Sequence, residues 1–340
     1  MLDITETTKP NGPMKNTTKI AARRLFKTPR SESSQPTGTS RTDVGKRSSN
    51  RRRASSRRVG VTVQSSPAST IYRSGEHIRV VPLHHPKPTV SIEELSRQRR
   101  EWEESDLFDG QPHAVPASAH LTYFGGPLIS HVQVFTIFWG KRWGATPNST
   151  VMMNKLNKFF HAILVSPAID QLAEYSVPGH AIGHGTLIGT KVISANAPVG
   201  SITDSAIRIR LKNWIASGTV PHTTKNTLYF IYLDPGIVSI MGGSKSCQNY
   251  CGYHDNVGKV YYAVMPYPTC SGCLGGMNAF DALTGTSSHE LCEAITDPVP
   301  GSGWYDNTNG EIGDICAWNF KTVAGYKVQL EWSNQQNKCL

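Results

Sequence analysis

No cysteine occurs before position 247, although the chain carries seven in 340 residues. That confines any disulfide framework or thiolate metal site to the last third. No apolar run approaches the ~20 residues that a membrane-spanning helix needs, so no span is expected. The start, MLDITETTKPNGPMKN, contains acidic residues and lacks the apolar run of roughly 7–15 residues found in secretory leaders. No signal peptide is read there. Gly-x-Ser-x-Gly elbows and phosphate-cradling Gly-Lys-Ser/Thr loops are also missing, which leaves serine hydrolases and nucleotide hydrolases without a motif.

Residues 1–60 hold few large apolar side chains. They hold 15 Lys and Arg against 4 Asp and Glu, which leaves 20 against 21 for the rest, so the formal net charge of +10 resides in this segment. It cannot bury enough surface to offset its ordering entropy and reads as a disordered basic tail. Its arginine clusters, Arg51-Arg52-Arg53 and Arg57-Arg58, suit an anionic partner. No aromatic residue lies among them to stack on bases, which argues against nucleic acid. Residues 61–120 read as a linker with one helix, 91–107, opened by Ser91 and Glu94 as a capping box.

The globular region is expected over 121–340. VQVFTIFWG (132–140) has apolar residues in both registers, as a strand buried on both faces does. Helical periodicity follows over 149–174, broken at Ser166-Pro167, and again over 201–218, where Ile207, Leu211, Trp214 and Ile215 share a face. TLYFIYL (227–233) and KVYYAVM (259–265) read as strands, 277–297 as a helix ending before Pro298, and YKVQLEWS (326–333) as a closing strand. The fold class is α/β with α+β character: one mixed sheet with helices packed on it and Cys-pinned C-terminal loops.

Cys247-x3-Cys251 and Cys270-x2-Cys273 fit either two disulfides or a structural zinc site. The Gly-, Ser- and Asn-rich loops around them favour disulfides. Cys316 and Cys339 form a plausible third pair, and Cys292 remains as a buried apolar residue.

Most telling is His289-Glu290-Leu291-Cys292-Glu293. On a helix, His289 and Glu293 lie one above the other, with a carboxylate between them. This is the zinc peptidase box His-Glu-x-x-His with Glu in place of the second His, and it makes the helix a zincin-like active-site helix. A catalytic metal takes about three protein ligands and keeps a position for water. The expected ligands are His289 and Glu293, with Glu311 or Asp314 as the third and Asp297 a weaker choice. Glu290 is the expected general base, and the cofactor a divalent metal, zinc first. The alternative is that the box pins its helix by hydrogen bonds alone. Three other features read blandly. His180 and His184 are set among glycines that oppose a helix. His254 reads as a loop histidine bonded to backbone. Asp306–Glu311 reads as a tight turn at Asn309-Gly310 rather than a calcium loop.

Several stretches, in order, resemble the exordium family, also called phosphate-induced protein 1, and its microbial relatives. They are LTYFGGPLISHVQVFTIFWGKRW (121–143), SCQNYCGYHD (246–255), YAVMPYPTCSGC (262–273), SSHELCEAITDP (287–298), GWYDNTNGEIGDIC (303–316) and EWSNQQNKCL (331–340). The resemblance implies secretion, disulfide bonding and, in plants, a role in growth and in the extracellular response to nutrient supply. It carries no settled biochemical activity. Asp297 departs from it, since plant members often have Asn there. The reading that follows is a peptidase-like metal-dependent hydrolase acting on a peptide or cell-surface substrate. The alternative is a non-catalytic secreted module whose polar box is structural.

Overall fold

The computed structural model describes residues 73–74, 77–78, 80–84 and 119–340. The basic tail and the expected helix 91–107 lie outside the described residues. The main elements are β1 (Val80–Pro82), β2 (His131–Trp139), α1 (Pro147–Ile163), β3 (Gly183–Ile193), α2 (Asp204–Ala216), β4 (Thr227–Leu233), β5 (Tyr250–Val257), β6 (Val260–Met265), α3 (Ala279–Thr296), β7 (Phe320–Val323) and β8 (Tyr326–Gln329).

Six strands form one mixed sheet in the order β1-β5-β6-β4-β2-β3. The four from β6 to β3 are parallel, while β5 runs antiparallel to both β6 and β1. Parallel neighbours need crossovers of a dozen or more residues, and α1 and α2 lie in two of them. Alternate residues of the central strands feed separate cores. Val134, Phe138, Phe230 and Tyr232 pack with Phe159 and Phe160 of α1 and with Leu291 and Ile295 of α3. Phe135, Ile137, Tyr229 and Ile231 pack with Ile207, Leu211 and Trp214 of α2.

Local chemistry sets the boundaries. Pro147 opens α1 behind a Thr146–Ser149 capping box, two residues before the periodicity begins. Ser201–Thr203, expected as helix, pairs instead with Val238–Met241, and Thr203 caps α2 by accepting from the Ala206 N–H. The single strand expected over 326–333 is two strands. β8 pairs with β7, and Trp332–Ser333 pairs with Lys338–Cys339. The chain changes partners at Leu330, whose N–H donates to Asn319 O, and at Glu331, whose N–H donates to Leu340 O.

The segment expected as a loop around SCQNYCGYHD contains a full strand, β5. Its neighbours pin it from both faces. Arg208 of α2 holds Asp255 at 2.5 Å on one side, while Gly252 lies so close to α3 that a Cβ there would meet Thr286 Cγ2 at 2.7 Å. Helix α3 packs between the β5–β6 end of the sheet and the β7–β8 hairpin. Every residue from Ala282 to Thr296 is buried, polar ones included.

Disulfides join Cys247 to Cys270, Cys251 to Cys273 and Cys316 to Cys339, and Cys292 is free and buried. The thiols near residues 247–273 are therefore bonded to one another, and the structural zinc alternative falls away. Three disulfides point to an oxidising compartment. Among the described residues no helix is long and apolar enough to cross a membrane.

Candidate metal centre

The box lies on α3 as its spacing requires. His289 Nε2 and Glu293 Oε1 are 2.8 Å apart, one turn removed from each other. The chain beyond Pro298 returns to this face, as its prolines and glycines permit. It does so close to the ring, since a Cβ on Gly313 would meet His289 Cγ at 2.9 Å. Asp314 then reaches His289, Oδ1 to Nε2, at 3.8 Å. His289, Glu293 and Asp314 offer ligand atoms within 4.8 Å of one another.

Glu311 takes a different place. Its Oε1 is 3.4 Å from His254 Nε2, so it joins β5 rather than sharing His289 with Asp314. Asp297 is occupied elsewhere: its carboxylate accepts N–H bonds from Gly301, Ser302 and Gly303 at 2.5, 3.1 and 2.6 Å. Glu290, the expected base, points at β5, with Oε2 3.1 Å from His254 Nδ1.

His254 is the residue that sequence reasoning undervalued. It does bond to backbone, with Nε2 3.2 Å from Asp297 O. It is also fully buried on a strand and faces three carboxylates, with Glu293 Oε2 at 3.5 Å from Nδ1. The available signal was alternation: Gly252 and His254 are two apart and therefore share the face of β5 that meets α3.

His254, His289, Glu290, Glu293 and Glu311 are all 0% exposed. Burying an ionised carboxylate costs several kcal/mol unless it is paired and its lone pairs are satisfied. Here many are not. His289 Nε2, Glu290 Oε1, both oxygens of Glu293, both of Glu311 and Asp314 Oδ1 are buried with no hydrogen-bond partner. Even the 2.8 Å His289–Glu293 contact lacks hydrogen-bond geometry. Two ligands of an ion, each about 2.1 Å from it at tetrahedral angles, stand roughly 3.4 Å apart. The spacings from His289 and His254 to their carboxylates run from 2.8 to 3.8 Å. Apart from the bonds that His254 makes to Glu290 and to Asp297 O, these atoms converge without hydrogen bonds, and that fits a divalent cation.

Protons are the competing charge. Burial raises Glu290, Glu311 and Asp314 above the usual carboxylate range. Burial also opposes charge on Glu293, but His289 and His254 on either side outweigh it and hold its pKa at about 2. Burial likewise opposes a charged His254, yet Glu311, Glu290 and Glu293 draw its pKa well above the usual value. For His289 the same pull from Glu293 meets an obstacle. Gln329 Nε2 lies 2.8 Å from Nδ1 and 2.9 Å from Gly313 O, while Gln329 Oε1 accepts the Trp318 N–H at 3.2 Å. With the amide so turned, Nδ1 accepts and the neutral ring carries its proton on Nε2.

The bland readings elsewhere hold. His184 lies at the start of β3 as an exposed partner of Asp170, 2.7 Å away. Asp306 closes a turn, accepting the N–H groups of Thr308 and Asn309. No protein-family model matches this chain, and no curated protein is significantly similar to it.

Proposed function

We propose that this chain is a metalloprotein of the exordium-like kind, with a zincin-like helix α3 and a peptidase-like hydrolytic centre. His289, Glu293 and Asp314 would hold a divalent ion of the zinc class. The carrying observation is the set of buried, unpartnered ligand atoms converging on the box. When bound, such an ion supplies a Lewis acid and lowers the pKa of a water. Glu290 is the proton acceptor of this reading, and His254, bonded to its Oε2, orients it. Gln329, held by Gly313 O and the Trp318 N–H, keeps the His289 ring proton on Nε2, whereas binding through Nε2 would need that proton on Nδ1. A peptide or cell-surface substrate outside the cell matches the disulfides and the family resemblance.

A second reading is favoured by one observation: the ligand side chains of the centre are almost wholly shut off from solvent. Structural metal sites are closed, whereas catalytic ones keep an open position. On that reading the ion locks α3 to the Glu311–Cys316 turn in a non-catalytic secreted module. Metal analysis of the purified full chain beside His289→Ala, with a peptide-library cleavage assay on metal-loaded and chelated protein, decides. The hydrolase reading expects bound metal, lost in the variant, and metal-dependent cleavage. Metal without cleavage leaves the closed module, and a wild-type protein that binds no metal ends both.

A further inference from the structure

The box accounts for only half of the centre. His254 and Glu290 lie on its other side, and Glu293 spans the two. Its Oε1 faces His289 Nε2 at 2.8 Å while its Oε2 faces His254 Nδ1 at 3.5 Å. His254, Glu290 and Glu293 form their own group, with ligand atoms within 4.8 Å of one another.

His254 is the better prepared of the two histidines. Its Nε2 lies 3.2 Å from the Asp297 carbonyl, which can only accept, so Nε2 keeps the ring proton. Nδ1 lies between Glu290 Oε2 and Glu293 Oε2, where an ion would take the place of the proton it shares with Glu290. A histidine that donates one N–H to a backbone carbonyl and presents the other nitrogen inward has the outer-shell arrangement of metal-ligating histidines.

We propose that the centre takes two divalent cations, the second bound by His254 Nδ1, Glu290 and Glu293, with Glu293 giving one oxygen to each. The inference rests on the box holding the first ion, and it reassigns Glu290 from proton acceptor to ligand. Charge supports the pair. Glu290, Glu293, Glu311 and Asp314, with the buried Glu331 beside them, bring at least four carboxylates into a volume whose histidines are neutral when they ligate. Two divalent ions offset four negative charges, whereas one leaves the remainder to protons. A shared carboxylate would hold the ions at the short separation of two-metal hydrolytic sites, about 3.5–4 Å. One imidazole nitrogen and otherwise carboxylate oxygens at each position suit zinc or manganese rather than softer ions.

The test uses the chelated full chain, titrated with Zn2+ or Mn2+ alone, with bound metal counted after gel filtration and affinities taken from calorimetry. The expected result is two ions per chain in wild type. One remains in His254→Ala, in Glu290→Gln and in His289→Ala, and binding weakens by at least about 100-fold at both positions in Glu293→Gln. Electron paramagnetic resonance of the Mn2+-loaded wild type needs no variant to fold and should show spin-coupled manganese. One ion per chain, lost in His289→Ala but kept in His254→Ala, with uncoupled manganese, overturns the second ion and leaves the box reading intact. One ion lost only in His254→Ala overturns both, as does no ion at all.

Discussion

Gln329 decides what His289 can do, and no motif points to it. It lies 40 residues from the ring that it contacts. As oriented, its amide donates to Nδ1 and to Gly313 O, which favours a ring proton on Nε2, the nitrogen the ion needs. Gln329→Leu removes the donor that holds the ring proton there. It should tighten the ion at His289 by about 10-fold while sparing the one at His254. Gln329→Glu offers a carboxylate to Nδ1–H and should bind at least as tightly as wild type. Calorimetry on the two variants reads this directly, and a Leu variant indistinguishable from wild type would remove Gln329 from the centre.

At the scale of elements, regular pattern was legible and mixed pattern was not. TLYFIYL is a strand over Thr227–Leu233 because its apolar content satisfies both faces at once. The box helix runs Ala279–Thr296, bounded by an Asn278 cap and the proline beyond Asp297. Strand β5 escaped because one of its faces is chemical rather than apolar: Gly252 and His254 look like loop residues until α3 lies against them. Glu311 and Asp314, three apart, were the two alternatives for a third ligand. They face different histidines instead, Glu311 facing His254 and Asp314 facing His289. The turn that carries Asp314 ends at Cys316, bonded to Cys339. Replacing both cysteines by serine should cost about 2–5 kcal/mol of stability and loosen Asp314, weakening the ion at His289. The Cys247→Ser/Cys270→Ser pair should destabilise comparably but leave that affinity nearly unchanged. Thermal unfolding and zinc titration of both double variants separate the effects, and equal losses of affinity would deny the Cys316 link any local role.

At the scale of the whole molecule, the centre couples metal to stability and both to pH. Helix α3 is buried between the sheet and the β7–β8 hairpin, so the charge state of its side chains bears on the entire core. In chelated protein, burial raises Glu290, Glu311 and Asp314, while Glu311, Glu290 and Glu293 together raise His254 against its own burial. The folded state then binds more protons than the unfolded chain. Its stability is fullest at low pH and falls as pH rises through these raised values. Glu293 has the opposite sign, but its contribution is lost only as pH falls toward about 2, below the working range. Bound ions reverse the trend. They must displace those protons, so affinity rises with pH, and ligand at 100 times its Kd adds about 2.7 kcal/mol to the folded state. The difference in unfolding temperature between zinc-loaded and chelated protein should therefore widen steadily from about pH 5 to about pH 8, with the chelated curve falling. Calorimetric scans across that range, with and without chelator, measure it. A gap that stays constant or narrows toward high pH would mean that protons, not cations, are the resident charge of this core.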